Sequence, residues 1–245
     1  MATNTKNVIV GAAELFVSAT EDTSRPQTDT ATLKTLFGTS TGTSARTGLL
    51  SSAAYREVGY TNSGLEISYE PNYGEVMVDQ LLDAARLFKQ TLKVMLKTEL
   101  VEATLENLTL SWGQMDTYYV NQTGSTISAV NSLADSTPIG GSEVGSTLNM
   151  AAGALGDAPV ERVLIAIGNA PAQVKNVTPT TTALRNKERV YVARRVVSMD
   201  TTAHGLKRDS ATVFPVSFRC LPDDSVASYA GAEYGVIIDR VWGTN

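Results

Sequence analysis

Leu65, Ile67 and Tyr69 alternate with Glu66, Ser68 and Glu70. A period of two is the pattern of a strand with one face buried and one wet. Pro71-Asn72-Tyr73-Gly74 follows with turn chemistry, and Val76 and Val78 resume the extended pattern. The sequence therefore predicts a β-hairpin over residues 55–78, with its turn at 71–74. Leu81, Ala84, Ala85 and Phe88 fit either a helix or a strand. Leu92, Val94 and Leu96 then alternate with Thr91, Lys93, Met95 and Lys97, a second half-buried strand. Beyond it Val101, Leu105, Leu108 and Trp112 recur at steps of three and four, with Thr98 available as a cap. Glu99 and Glu102 suit a first turn, and Gly113 suits the stop. This predicts one helix over about residues 99–112 with its apolar stripe lying on a sheet.

The rest of the chain reads as strands and two polar stretches. Val8-Ile9-Val10 and Leu15-Phe16-Val17 form one strand interrupted at Gly11. Residues 160–167 are apolar on both faces, as a strand covered twice requires. Residues 189–199 and 233–242 are further strands. Phe214, Val216, Phe218 and Cys220 alternate with Val213, Pro215, Ser217 and Arg219, where Pro215 implies an edge or a position with no partner for its nitrogen. Residues 21–52 and 121–157 are rich in Thr, Ser and Gly and read as long loops or arms, the second with room for one short strand. No repeat and no linker divides the chain. The expectation is a single domain over 1–245: mainly β, a sandwich or barrel with one flanking helix and two arms.

Composition narrows the function. The 245 residues carry a net charge of -5, with 42% hydrophobic and 18% charged side chains. No basic stripe of the kind that grips nucleic acid is visible. One cysteine, Cys220, excludes an intramolecular disulfide and a multi-cysteine metal site. The opening MATNTKNVIVG lacks the pattern of a secretory signal, and no run approaches the length of a membrane span. The expectation is a chain made in the cytoplasm and soluble until it assembles.

A search for catalytic chemistry finds little. His204, the single histidine, sits in Thr202-Ala203-His204-Gly205-Leu206, where a turn between strands belongs. Cys220 lies on an apolar strand face and reads as a buried thiol. Asp223-Asp224 beside Pro222 read as a turn rather than as a carboxylate pair for hydrolysis. Gly140, Gly141 and Gly145 do not make a phosphate-binding loop. Asn107, Asn121 and Asn176 each head a glycosylation triplet, matches expected by chance in a Thr-rich chain. Trp112 and Trp242 read as core or subunit contacts, and Tyr118-Tyr119 are the most open of the aromatics. No catalytic, cofactor or metal site is expected, and the chain is not read as an enzyme.

Three stretches together resemble the major tail tube proteins of siphophages. They are the strand pattern Gly59-Tyr60-Thr61-Asn62-Ser63-Gly64-Leu65-Glu66-Ile67-Ser68-Tyr69-Glu70, the helical stretch 96–113 with Glu102-Ala103-Thr104-Leu105-Glu106-Asn107-Leu108, and the run of strands from 160 to 242. The opening strand, residues 8–17, is similar as well, and the two polar stretches depart from the family pattern. The resemblance implies a β-sandwich with a flanking helix, six copies to a ring, and inner sheets joined into one continuous barrel. Stacked rings would hold the tape-measure protein, meet a tail terminator, and pass double-stranded DNA without binding its sequence. The subunit would be made in the host bacterial cytoplasm and end in the virion tail. An acidic lumen would let DNA slide, and Glu66, Ser68 and Glu70 are the residues expected to line or flank it. Other readings are a tail terminator, a capsid decoration protein, the tube of a contractile tail, or a carbohydrate-binding β-sandwich.

Overall fold

The computed structural model describes residues 11–19, 44–52, 54–77, 79, 83–115, 119–121, 146–150, 152, 155, 158–171, 186–199, 203–206, 208–209, 211–224 and 231–242. Two helices and ten strands lie among them. In chain order they are β1 (Glu14–Ser18), α1 (Ala45–Leu50), β2 (Tyr55–Glu57), β3 (Thr61–Val76), β4 (Arg86–Leu100), α2 (Leu105–Trp112), β5 (Tyr119–Asn121), β6 (Ser146–Leu148), β7 (Arg162–Asn169), β8 (Asn186–Ser198), β9 (Phe214–Cys220) and β10 (Gly235–Trp242). The fold is mainly β, as the alternation predicts. One antiparallel sheet runs β2-β1-β7-β8-β9-β4-β3, with β10 as a further partner of β8, and β5 pairs with β6 apart from it.

The sheet is rolled. β2 and β3 stand at opposite ends of the strand order, yet only residues 58–60 separate them. Laid flat, seven strands would put those ends about 29 Å apart, whereas the link reaches roughly 14 Å at full extension. Curling resolves the conflict. At the seam, the Val58 N–H donates to the Leu15 carbonyl at 3.0 Å, and the Val101 N–H donates to the Tyr60 carbonyl at 2.9 Å.

Alternation sorts the core in two. Leu15, Val17, Leu164, Ala166, Ala193, Val196, Phe214, Val216, Phe218, Cys220, Leu96 and Leu100 point inward and fill the rolled sheet, with Leu110 of α2 and Val58 in the same cluster. Phe16, Val163, Ile165, Ile167, Val190 and Val192 point outward, where Ala45 and Leu49 of α1 and Tyr55 cover them. β1, β7 and β8 are thus buried on both faces, as the doubly apolar run at 160–167 predicts. Burying a side chain such as Phe16 or Leu49 contributes about 1.5–3 kcal/mol.

β8 changes partners midway. Residues 186–193 pair with β10, and residues 196–198 pair with β9. At the change, Leu164 opposes Ala193 while Arg162 opposes Val196, so β8 carries one extra residue, a bulge. The Arg194 N–H donates to the carbonyl of Tyr234, just before β10, and the Leu221 N–H, just after β9, donates to the Arg195 carbonyl.

Several expectations are corrected. The predicted turn at 71–74 does not form: β3 runs through it to Val76, and its partner is β4 rather than a strand ending at residue 78. Pro71 fits because β3 ends the sheet order, leaving its outer edge, among the described residues, without a ladder for a proline to break. The ambiguous residues 86–88 are strand. The predicted helix over 99–112 starts later, at Leu105. Glu99 and Leu100 finish β4, and Thr104, not Thr98, is the cap, its side chain accepting from the Asn107 N–H. Gly113 does end the helix, in a left-handed conformation. The buried face of α2 holds Glu106, Asn107, Thr109, Leu110 and Ser111 rather than an apolar stripe.

A second helix, α1, lies within the stretch 21–52 that reads as an arm. Ser44 caps it, and it seats Ala45 and Leu49 on the outer core. Residues 21–43 of that arm lie outside the described residues, as do residues 8–10 and 122–145. The short strand allowed in the second polar stretch is β6.

Candidate functional site

β3 and β4 form a hairpin longer than the body it springs from. β4 pairs with β9 only over Val94–Leu100, so residues 86–93 run past the end of β9. Among the described residues no strand lies on the outer edge of β3. The hairpin leaves the barrel through a bulge. Asn62 opposes Glu99 and Glu66 opposes Lys97, so two extra residues are taken up on β3, and Ser63 and Gly64 adopt positive φ there. Thr98, buried, pins the bulge by donating from Oγ1 to the Gly64 carbonyl at 2.9 Å. A second irregularity follows Asn72, where the skipped residue is Gln90 on β4.

The register gives the hairpin two unlike faces. One carries Ile67, Tyr69, Pro71 and Tyr73 opposite Leu96, Val94, Leu92 and Lys89, with Glu75 opposite Leu87. It continues the barrel interior, since Leu65 and Val94 pack on the inner core. Beyond the barrel it has no cover: Tyr69 is 62% exposed, Leu87 60%, Tyr73 55% and Ile67 41%. Lys89 lies over this surface, its Nζ 5.4 Å from the Tyr69 ring centre and donating to the Tyr69 hydroxyl at 3.1 Å. A contiguous exposed apolar surface of this sort marks an interaction face on a soluble protein, and unpaired strand edges are templates for another strand.

The opposite face holds all three residues singled out from sequence. Glu66 and Glu70 are exposed and Ser68 is half-buried between them, its hydroxyl donating to Glu70 Oε1 at 3.1 Å. The structure adds what the sequence reading missed. Lys97 stands opposite Glu66, and Lys93 stands opposite Glu70. Each acid of β3 thus has a lysine of β4 as its cross-strand neighbour. Toward the tip Phe88 lies over Gly74, where a Cβ would come within 2.6 Å of its ring.

The other candidates are placed as follows. His204 is wedged between Trp112, 6.1 Å away by ring centres, and Phe214, at 4.8 Å edge to face. Cys220 is buried, and burial pushes its thiol up to about 12. Asp223 is buried and Asp224 exposed, so the two carboxyl groups lie in different surroundings. Trp242, at the end of β10, is half-buried beside a cleft with Glu14, Arg46 and Glu188. In and around that cleft the charges are matched: Arg46 meets Glu14 at 3.0 Å and Glu57 at 3.2 Å, and Arg240 meets Glu188 at 3.1 Å. Glu188 also accepts the first N–H of α1, from Ala45, at 2.9 Å, and its burial raises its pKa above the usual carboxylate range. Tyr118 lies outside the described residues. Among the described residues no three His, Cys, Asp or Glu side chains converge in a way that could hold a metal ion, and no helix is long and apolar enough to cross a membrane.

No protein-family model matches the chain, and no curated protein is similar to it.

Proposed function

We propose that this protein is a structural virion subunit, the major tail tube protein of a long-tailed bacterial virus. The observation that supports this best is the β3–β4 hairpin: among the described residues it leaves a well-packed barrel with one strand edge unpaired and one broad face apolar and exposed. A monomer gains nothing from such an element, whereas copies arranged around an axis can pair edge to edge and cover those faces against one another. Rings of six copies, stacked into a tube, would then enclose the tape-measure protein and later the passing DNA, with a tail terminator closing the end. In this reading the subunit has no catalytic role. It is made in the host bacterial cytoplasm and resides in the virion tail.

Electron microscopy of the purified protein at rising concentration tests the reading. Rings, or hollow tubes of uniform width, are the expected result. A chain that stays monomeric at high concentration, and also when seeded with preformed tail tips, overturns it. Glycan binding by such a monomer would transfer the function to a carbohydrate-binding module.

A further inference from the structure

Beside the first turn of α1, the outer face of the sheet is left as a cleft of about 650 Å³. Trp242 of β10 and Asn186 of β8 are register partners there, and Arg240 and Glu188 are the next such pair along. Alternation puts all four on the face where Val190 and Ile238 join the outer core. Lys187, which borders the cleft, belongs to the opposite face with its partner Val241.

The charges on this face answer one another. Arg46 meets Glu14 at 3.0 Å and Glu57 at 3.2 Å, and Arg240 meets Glu188 at 3.1 Å. What remains open is hydrogen-bonding capacity without net charge. Glu188 takes both Arg240 and the Ala45 N–H on one oxygen, Oε1. Its Oε2 accepts no hydrogen bond among the described residues, although the side chain is only 8% exposed. The exposed Asn186 amide and the half-buried Trp242 indole also make none among the described residues.

We propose that this cleft is a binding site for a neutral saccharide. The Trp242 ring offers an apolar wall for one face of a pyranose. Glu188 Oε2 accepts from a sugar hydroxyl, and the Asn186 amide both donates and accepts. An aromatic wall with a few convergent polar groups, in a cleft of this size, is the usual make-up of a small-molecule site. A hydroxyl donor also offsets the cost of a buried carboxylate with one oxygen unbonded. The paired charges decide the class of ligand, because an anion or a cation would have to break an existing pair. None of this uses the hairpin, so the inference stands apart from the tube reading.

Saturation-transfer NMR and calorimetry on the full chain test it. The probes are maltose, cellobiose, lactose and diacetylchitobiose, with digalacturonate as the charged comparison and adenosine as a second ligand able to stack on an indole. At least one neutral disaccharide is expected to bind with a dissociation constant of about 1 mM or tighter, and more tightly than digalacturonate. Trp242→Ala should weaken that binding at least about tenfold, and Asn186→Ala at least about threefold. Circular dichroism melts establish that each variant is folded. Asn186→Ala, at an exposed position, decides alone should the tryptophan variant not fold. Failure of every neutral disaccharide to bind, binding of adenosine alone, or binding untouched by both substitutions overturns the proposal. Microscopy of the same samples separates it from the tube reading. Tubes without sugar binding remove the saccharide site alone, and sugar binding without assembly keeps the site while removing the tube.

Discussion

The Asn107 side-chain amide donates to the Val58 carbonyl at 2.8 Å and so ties helix α2 to the short link that closes the barrel. The same amide donates to the Glu102 carbonyl at 3.0 Å, and its oxygen accepts from Arg56 at 2.8 Å. Asn107 is buried to 1% exposure. Its bonds therefore form away from water, and removing the side chain strands at least one buried partner. Asn107→Ala is expected to lower unfolding stability by about 1–3 kcal/mol, read from the urea midpoint at unchanged slope. A midpoint equal to the wild type would show that the seam does not depend on this residue.

Gly235 sits where β10 joins β8. Its φ is +152, and a Cβ there would fall 2.0 Å from the Val192 carbonyl oxygen, a backbone atom with little freedom to retreat. Gly235→Ala is expected to cost about 1–3 kcal/mol or more through overpacking. Amide exchange in β10 should accelerate more than exchange in β4. Uniform exchange rates across the sheet would place the damage elsewhere.

Much of this architecture is legible in the sequence, and the errors have physical causes. The alternation at Leu65, Ile67 and Tyr69 and at Phe214, Val216 and Phe218 is local, so the strands and their inward faces follow from it. Pro71 misleads because proline normally marks a turn, whereas at an edge strand it breaks no ladder, and being an edge is a property of the assembled sheet. The start of α2 is obscured because Glu99 and Glu102 suit a first turn, while Glu102 instead accepts the Tyr60 N–H at 3.0 Å. α1 has six residues and is fixed by partners remote in sequence, such as Glu188, 143 positions from the N–H it accepts. Glu66, Ser68 and Glu70 were readable as one wet face. Lys93 and Lys97 read as a wet face of their own, and only the register between β3 and β4 sets the two rows side by side.

Arg189 and Asp239 face each other across β8 and β10, joined by two bonds of 2.5 and 2.8 Å. The hydrogen bond from Arg189 lowers the Asp239 pKa. A carboxylate depressed in the folded state contributes stability that is present above its unfolded value of about 3.9 and is lost as pH falls through the folded value. Burial raises Glu188 and works in the opposite sense, so the wild-type curve mixes the two. The difference between wild type and Asp239→Asn isolates the pair. That difference in melting temperature should be constant from neutral pH down to about 5 and shrink toward zero below about 4. A gap that persists in acid would assign the effect to packing.

Cys220 provides a direct probe of the barrel interior. A thiol pushed up to about 12 and buried on β9 is neither ionised nor reachable at neutral pH. Labelling by a thiol reagent should be negligible in the native protein and complete in denaturant. Native labelling at the rate of a free thiol would mean that the end of β9 opens.

The apolar hairpin face makes the final prediction. Tyr73 and Leu87 are exposed and lie beyond the part of β4 that β9 supports. Neither belongs to the two cores that hold the barrel together. Tyr73→Ser with Leu87→Ser should therefore change monomer stability by no more than about 0.5 kcal/mol, as surface substitutions do. If the face is covered by a second copy in the assembled state, the same variant removes that contact and should remain monomeric at concentrations where the wild type forms higher species in sedimentation velocity. Assembly at the wild-type concentration would move the subunit contact off this face. A large loss of monomer stability would instead make the hairpin part of the fold.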